Sequence, residues 1–212
     1  MKWLNRNLLS TLTVAMLTAF YWPAQAQQQE SKTYSKAGGF YFFPYYSANE
    51  FRLTNIDGEL SKFKGSGYGL RLGFRPFPTW LPGFSLTADF VSGESENEAN
   101  KEESLDYTSV NYGFSQYMNR FFYMLGKYGQ NKIEVESPLS NSKISPDFVA
   151  IGLGLDLFQI GDSFSFTVEA LYNKGFSERT KNTNAAYNAG FDGVEYRVGL
   201  RWAPSISFTV GK

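Results

Sequence analysis

The sequence contains no cysteine and no histidine, and each absence excludes a class of chemistry. Without cysteine there is neither a disulfide framework nor an N-terminal cysteine that could carry a lipid anchor. Without histidine there is no Ser-His-Asp or Ser-His-Glu triad and no histidine-ligated metal. Lys and Arg together number 20, as do Asp and Glu, so the charge balance does not indicate nucleic acid binding. We therefore expect no enzyme and no cofactor or metal.

A long apolar run is also missing after the N-terminus, so a transmembrane helix is not expected. The first 26 residues have a different composition: Lys2 and Arg6 precede a short apolar run at 8–20, and residues 24–26 read Ala-Gln-Ala. This layout predicts a secretory signal peptide cleaved after Ala26, the alternative being an uncleaved anchor. Its removal would leave 18 basic against 20 acidic residues, since two of the 20 cations lie within it.

Aromatic residues make up 18% of the sequence, and there are 20 glycines. Several segments show a strict alternation of apolar residues with charged or small ones. In 194–202, VEYRVGLRW, every second residue is apolar, while Glu195, Arg197, Gly199 and Arg201 lie between them. Because successive side chains of a strand point to opposite faces, the pattern predicts a strand with one apolar face and one charged face.

The same alternation recurs at 66–75, 84–91, 107–115, 148–158 and 163–173. Two further segments are less clear: 38–46 is aromatic on both faces, and 120–128 fits a strand or a short helix. The gaps between these eight segments alternate between long and short. The long ones are 47–65, 92–106, 129–147 and 174–191, and the short ones are 76–83, 116–119 and 159–162. Long loops on one side and tight turns on the other are typical of an antiparallel up-and-down transmembrane β-barrel.

The small and charged faces of these strands decide between that barrel and a soluble β-sandwich. Glycine on the exposed face of a soluble sheet would weaken its strands. A narrow lumen, in contrast, suits glycine beside paired charges. We expect the glycines to make room there for long Arg and Glu neighbours. The predicted lumen charge network is Arg71, Arg75, Asp89, Asp156, Glu169, Glu195, Arg197 and Arg201. The predicted lipid-facing residues are Tyr68, Leu70, Leu72, Phe74, Val149, Ile151, Leu153, Leu155, Phe164, Phe166, Val168, Val194, Tyr196, Val198, Leu200 and Trp202. Interfacial aromatic girdles are predicted at Tyr45, Tyr46, Trp80, Phe84, Phe158, Tyr172 and Trp202.

These features together resemble the small eight-stranded outer-membrane β-barrel proteins, the OmpA/OmpX-like group. The resemblance covers residues 37–203, after a flexible leader at 27–36, and it is one of pattern rather than of a sequence motif. The strand that ends at Trp202 looks like the terminal assembly signal of that group, but residues 204–212 continue beyond it. We expect this segment to be a tail or a short strand extension, although 205–211 could replace 120–128 as the eighth strand.

Two functional classes remain open. The first is a structural or surface-interaction barrel that works through long extracellular loops, with its lumen closed by Arg–carboxylate pairs. The second is a small channel for ions or hydrophobic molecules. The expected location is the outer membrane of a Gram-negative bacterium. The expected partners are outer-membrane lipid, lipopolysaccharide, the barrel assembly machinery and an unknown extracellular ligand, with no nucleic acid and a monomeric state.

Overall fold

The computed structural model describes residues 39–55, 58–75, 83–119, 121–137, 140–160, 163–176 and 187–203. The predicted signal peptide, the leader, Trp80 and the alternative strand at 205–211 lie outside these residues. The described elements are strands: β1 (Phe40–Asn55), β2 (Leu60–Phe74), β3 (Phe84–Asn97), β4 (Ser104–Tyr117), β5 (Phe122–Ser137), β6 (Ser140–Ile144), β7 (Asp147–Ile160), β8 (Phe164–Gly175) and β9 (Tyr187–Trp202). None of the described residues forms a helix with the length and apolar character needed to span a membrane.

The strands form one antiparallel sheet that closes on itself. β1 pairs with both β2 and β9, and the remaining neighbours pair in chain order as far as β4 with β5. β5 pairs with β7 over its first half and with the short β6 over its last residues, so β6 and β7 form a single wall strand interrupted at 145–146. The result is the predicted eight-stranded up-and-down barrel, in which 120–128 contributes to a strand and not to a helix.

The connections predicted to be long are in large part strand. β1 continues to Asn55 and β2 begins at Leu60, which leaves only 56–59 between them, and only 98–103 separates β3 from β4. We call this side of the barrel the hairpin end and the opposite side, where the described chain begins at residue 39 and ends at 203, the termini end. The prediction of long loops was wrong because these segments also alternate, but with apolar residues on the inner face and polar residues on the outer face.

The outer face of the barrel has an apolar band at the termini end and a charged band at the hairpin end. The border between them is a row of exposed tyrosines, which we call the tyrosine girdle: Tyr46, Tyr68, Tyr112, Tyr128, Tyr172 and Tyr196. Beyond the girdle the outward residues are mainly polar or charged, as in Arg52, Lys64, Glu94, Asp106 and Glu134. An aromatic border between an apolar and a charged surface is the arrangement found at a membrane–water interface.

The inner face is reversed with respect to the outer one. At the hairpin end the interior is an apolar core with a few buried Asn and Ser side chains such as Asn97 and Ser142, whereas at the termini end it contains buried charges and tyrosines. The apolar core is formed by Phe51, Leu53, Phe63, Leu105, Ile133, Val135, Ile144, Phe148, Leu171 and Phe191. The hairpin end therefore has the polarity of a water-soluble barrel, with apolar residues inside and polar residues outside. The termini end has the opposite polarity, which is that of a membrane barrel.

Glycines on the inner face make room for aromatic rings. A Cβ at Gly73 would lie 2.0 Å from the ring of Tyr41, and a Cβ at Gly154 would lie 2.0 Å from the ring of Tyr123. We expected this room to be taken by arginine and glutamate, but at Gly73 and Gly154 a tyrosine ring fills it. Each ring can cross the neighbouring strand because that strand has no side chain at the crossing point.

Candidate functional site

The candidate site is the ionic layer that fills the lumen at the level of the apolar band. Its centre is Arg71, whose side chain is fully buried. The Arg71 Nε donates to Asp89 at 2.9 Å, Nη2 donates to Glu169 at 2.7 Å, and Nη1 donates to the other oxygen of Glu169. One guanidinium thereby joins carboxylates from β3 and β8, which lie on opposite sides of the barrel.

Asp89 is the carboxylate on which three cations converge. Besides Arg71, it accepts a hydrogen bond from Arg197 at 3.1 Å, and its second oxygen lies 2.8 Å from the Nζ of Lys127. Arg197 in turn donates two parallel hydrogen bonds to Glu195, both at 2.8 Å. Such forked pairs are the geometry in which a guanidinium best compensates a carboxylate that has lost its water.

A second group surrounds Arg201 nearer to the termini end. Its Nη1 lies 3.2 Å from Asp156 and also donates to the hydroxyl of Tyr117, and its Nη2 donates to the hydroxyl of Tyr123 at 2.6 Å. Tyr117 and Thr167 both donate to Asp156, at 2.6 and 2.7 Å. The tyrosines connect the two groups, because Tyr123 also donates to Glu169.

Arg75 is the one predicted network residue that the structure places apart. Its side chain is half-buried at the mouth of the lumen, and no described carboxylate lies within ion-pair distance of it. Its guanidinium carbon instead lies 5.7 Å from the ring centre of Tyr41 and 5.8 Å from that of Tyr117. The reason is its position one residue beyond β2, past the last layer of carboxylates. The other seven predicted charges are buried and paired with one another.

The sequence pattern did not predict that Lys127 and several tyrosines face the lumen. Lys127 lies in the segment that fitted either a helix or a strand, so its face was not assigned. Once the segment is a strand, Tyr123, Leu125 and Lys127 share the inner face by alternation. Tyr45 is buried inside and is not part of a girdle, and its ring centre lies 4.4 Å from the guanidinium carbon of Arg197.

The residues predicted to face lipid all lie on the outer surface of the barrel. Four of them, Phe166, Val168, Val194 and Val198, are half-buried by their neighbours on that surface. The other twelve are exposed to the outside: Tyr68, Leu70, Leu72, Phe74, Val149, Ile151, Leu153, Leu155, Phe164, Tyr196, Leu200 and Trp202.

The carboxylates of the ionic layer all have partners within the lumen. Each of them forms ion pairs or hydrogen bonds with lumen cations or hydroxyl groups. Within the ranges that the structure describes, no group of three or more acidic side chains is arranged to hold a metal ion.

Comparison with known proteins identifies the family. The sequence model of the outer membrane protein beta-barrel domain matches residues 12–211. The chain belongs to this family.

Among solved structures, Neisserial surface protein A has a similar fold. Neisserial surface protein A is similar with a TM-score of 0.58 and 12% identity over 79% of this chain and 99% of that one. Ail, the attachment invasion locus protein of Yersinia pestis, has a TM-score of 0.47 and 16% identity over 76% of this chain and 97% of that one. OprG from Pseudomonas aeruginosa has a TM-score of 0.44 and 12% identity over 78% and 95%. A search of curated protein sequences found no match.

The family assignment places this barrel in the outer membrane. Cleavage after Ala26 remains a prediction, since residues 1–38 lie outside the described part of the chain.

Proposed function

We propose that this outer-membrane barrel, from a Gram-negative bacterium, is a non-conducting, non-enzymatic scaffold that works at the cell surface through its hairpin end. The observation that carries the proposal is the reversal of polarity along the barrel axis. A charged outer wall around an apolar core is stable in water, so the hairpin end would project from the bilayer as a rigid extension of the same strands.

The filled lumen supports a non-conducting role. The ionic layer joins charged side chains from six strands across the bore, and Arg71, Asp89 and Glu169 at its centre are all but inaccessible. Above it, large apolar side chains such as Phe51, Phe63 and Leu105 fill the interior of the hairpin end and oppose the passage of ions, because they offer no ligands to replace an ion's water. An eight-stranded barrel leaves an interior just wide enough to be filled in this way.

The outer wall supports specific lipid and surface contacts. The exposed apolar band would contact acyl chains, with the tyrosine girdle at the outer interface and lipopolysaccharide around the charged wall beyond it. A closed barrel has no free sheet edges that would require a partner subunit, so we propose a monomer inserted by the barrel assembly machinery. An extracellular ligand would bind the hairpin end, since rigid scaffolds commonly present such sites on their connections.

The absence of cysteine makes the orientation directly testable. A single cysteine placed by Lys143→Cys, where the side chain is 62% exposed at the hairpin end, should react with a membrane-impermeant maleimide on intact cells. The matched control is Asn119→Cys at the termini end, which should react only after the outer membrane is opened. Labelling of Asn119→Cys but not of Lys143→Cys on intact cells would reject the proposed orientation.

Conductance distinguishes the proposal from the small channel. The purified barrel should show no steady open conductance in a planar bilayer, whereas a persistent ohmic conductance of the folded protein would favour a channel. Folding is checked in the same sample by heat-modifiable migration on gels.

A further inference from the structure

The mouth of the lumen at the termini end carries a positive charge that the described carboxylates do not balance. The ionic layer is neutral by itself, with the four cations Arg71, Lys127, Arg197 and Arg201 facing the four carboxylates Asp89, Asp156, Glu169 and Glu195. Arg75 is a fifth cation on the same inner face. Its contacts are with the rings of Tyr41 and Tyr117, and no described acidic group pairs with it.

Three buried hydroxyl groups on β1 and β3, the strands on either side of β2 and Arg75, have no hydrogen-bond partner among the described residues. They belong to Tyr41, Ser85 and Thr87, whose exposures are 2%, 0% and 6%, and the Nε of Arg75 is likewise buried and unpartnered. Buried polar atoms in folded proteins nearly always have a partner, so these four atoms at the mouth have hydrogen-bonding capacity for a polar group that enters from outside.

The strand register brings these groups together. Tyr41 on β1 pairs with Gly73 on β2, and its ring lies over that glycine. Gly73 pairs in turn with Thr87 on β3, so the Tyr41 ring extends across β2 towards Thr87. Ser85 follows on the same inner face of β3, one step nearer to the mouth.

We propose that this mouth binds a small oxyanion, a carboxylate or phosphate group, between the guanidinium of Arg75 and the hydroxyls of Tyr41, Ser85 and Thr87. A guanidinium presents two parallel N–H groups to such an anion, and hydroxyls can donate to its remaining oxygens. Arg75 is half-exposed, so the anion can enter from the termini end.

Charge distinguishes an anion from ordered water in this place. Water can satisfy the hydroxyl groups, but it leaves the charge of Arg75 uncompensated beside Arg201, whose guanidinium carbon also lies 5.2 Å from the ring centre of Tyr41. Two cations near the same ring repel one another, and an anion at Arg75 relieves that repulsion.

The test is a titration of the folded full-length protein in lipid nanodiscs, followed by the nitrogen–proton signals of arginine side chains. Sodium phosphate and sodium acetate serve as probes, with sodium chloride added to hold the ionic strength constant. The variants are Arg75→Gln, Ser85→Ala and Thr87→Val. The matched control is Arg52→Gln, which removes an exposed cation at the hairpin end whose side chain is 47% exposed.

We expect a saturable response of the Arg75 signal to phosphate, to acetate or to both, with little response to chloride. Arg75→Gln should weaken binding about tenfold or more, the hydroxyl variants should weaken it several-fold, and Arg52→Gln should leave it unchanged. The proposal is overturned if neither probe saturates, or if Arg75→Gln binds as tightly as the unmodified protein. Should Arg75→Gln fail to fold, unchanged affinity in both Ser85→Ala and Thr87→Val overturns it as well.

Discussion

Replacing Arg71 by methionine should destabilise the barrel far more than its single charge suggests. The substitution removes the hydrogen bonds to Asp89 and Glu169 while both carboxylates stay buried. Asp89 keeps Arg197 and Lys127, but the nearest remaining cationic atoms lie 3.9 Å from Glu169, on Arg197 and Arg201. Glu169 therefore bears most of the loss.

The magnitude follows from the cost of leaving a buried charge without its partner. Breaking such a pair typically costs about 3–5 kcal/mol, against about 0–1 kcal/mol for an exposed pair. Arg71→Met should accordingly lower the free energy of unfolding by about 3–5 kcal/mol. Arg52→Met, which breaks an exposed pair with Glu50, should lower it by less than about 1 kcal/mol.

A double variant separates the contribution of the Arg71–Glu169 ion pair from the effect of lost packing. Arg71→Met with Glu169→Leu removes one charge of each sign, so three cations and three carboxylates remain in the layer. We expect the double variant to be more stable than Arg71→Met alone. Urea unfolding in lipid vesicles, followed by tryptophan fluorescence and by gel migration, gives all the values. If the single variant costs less than about 1 kcal/mol, or if the effects of the two substitutions simply add, the ionic layer is not coupled as described.

Three further predictions concern other parts of the barrel. Gly154→Leu should cost about 1–3 kcal/mol in urea unfolding, because its side chain would occupy the space of the Tyr123 ring, and a neutral effect would contradict the packing. Leu153→Arg, on the exposed apolar band, should cost about 2–4 kcal/mol in vesicles and much less in detergent, and equal costs in both would argue against lipid contact. At the hairpin end, hydrogen bonds from Lys64 and then Lys62 hold the pKa of Glu98 below its usual 4.5. The stabilisation from this ion pair is therefore complete above pH 4.5 and is lost as the pH falls through the lower folded-state pKa of Glu98. Glu98→Gln should reduce the dependence of the urea midpoint of unfolding on pH in that acidic range. An unchanged dependence on pH would count against the pair.

Local alternation was enough to predict most strands but not their ends. In 194–202 one face is apolar and the other carries charge, and the structure contains this segment within β9. Beyond the tyrosine girdle the outward residues become Lys and Glu and the inward ones become Phe and Leu, as in Phe63 beside Lys62 and Lys64. The pattern of apolar residues on the outer face therefore predicts strands that end at the tyrosine girdle, although the hydrogen-bonded strands continue beyond it.

The sequence by itself determined that the chain forms amphipathic strands and that charged residues of both signs share one face, because side-chain direction in a strand depends only on position along it. Tertiary structure alone decided which charges meet. Arg71 and Glu169 are 98 residues apart and become partners only when the sheet closes through β1 and β9. Closure with its particular stagger also brings Lys127 to Asp89 and leaves Arg75 past the last carboxylate, and these distances depend on the whole barrel and not on any one strand.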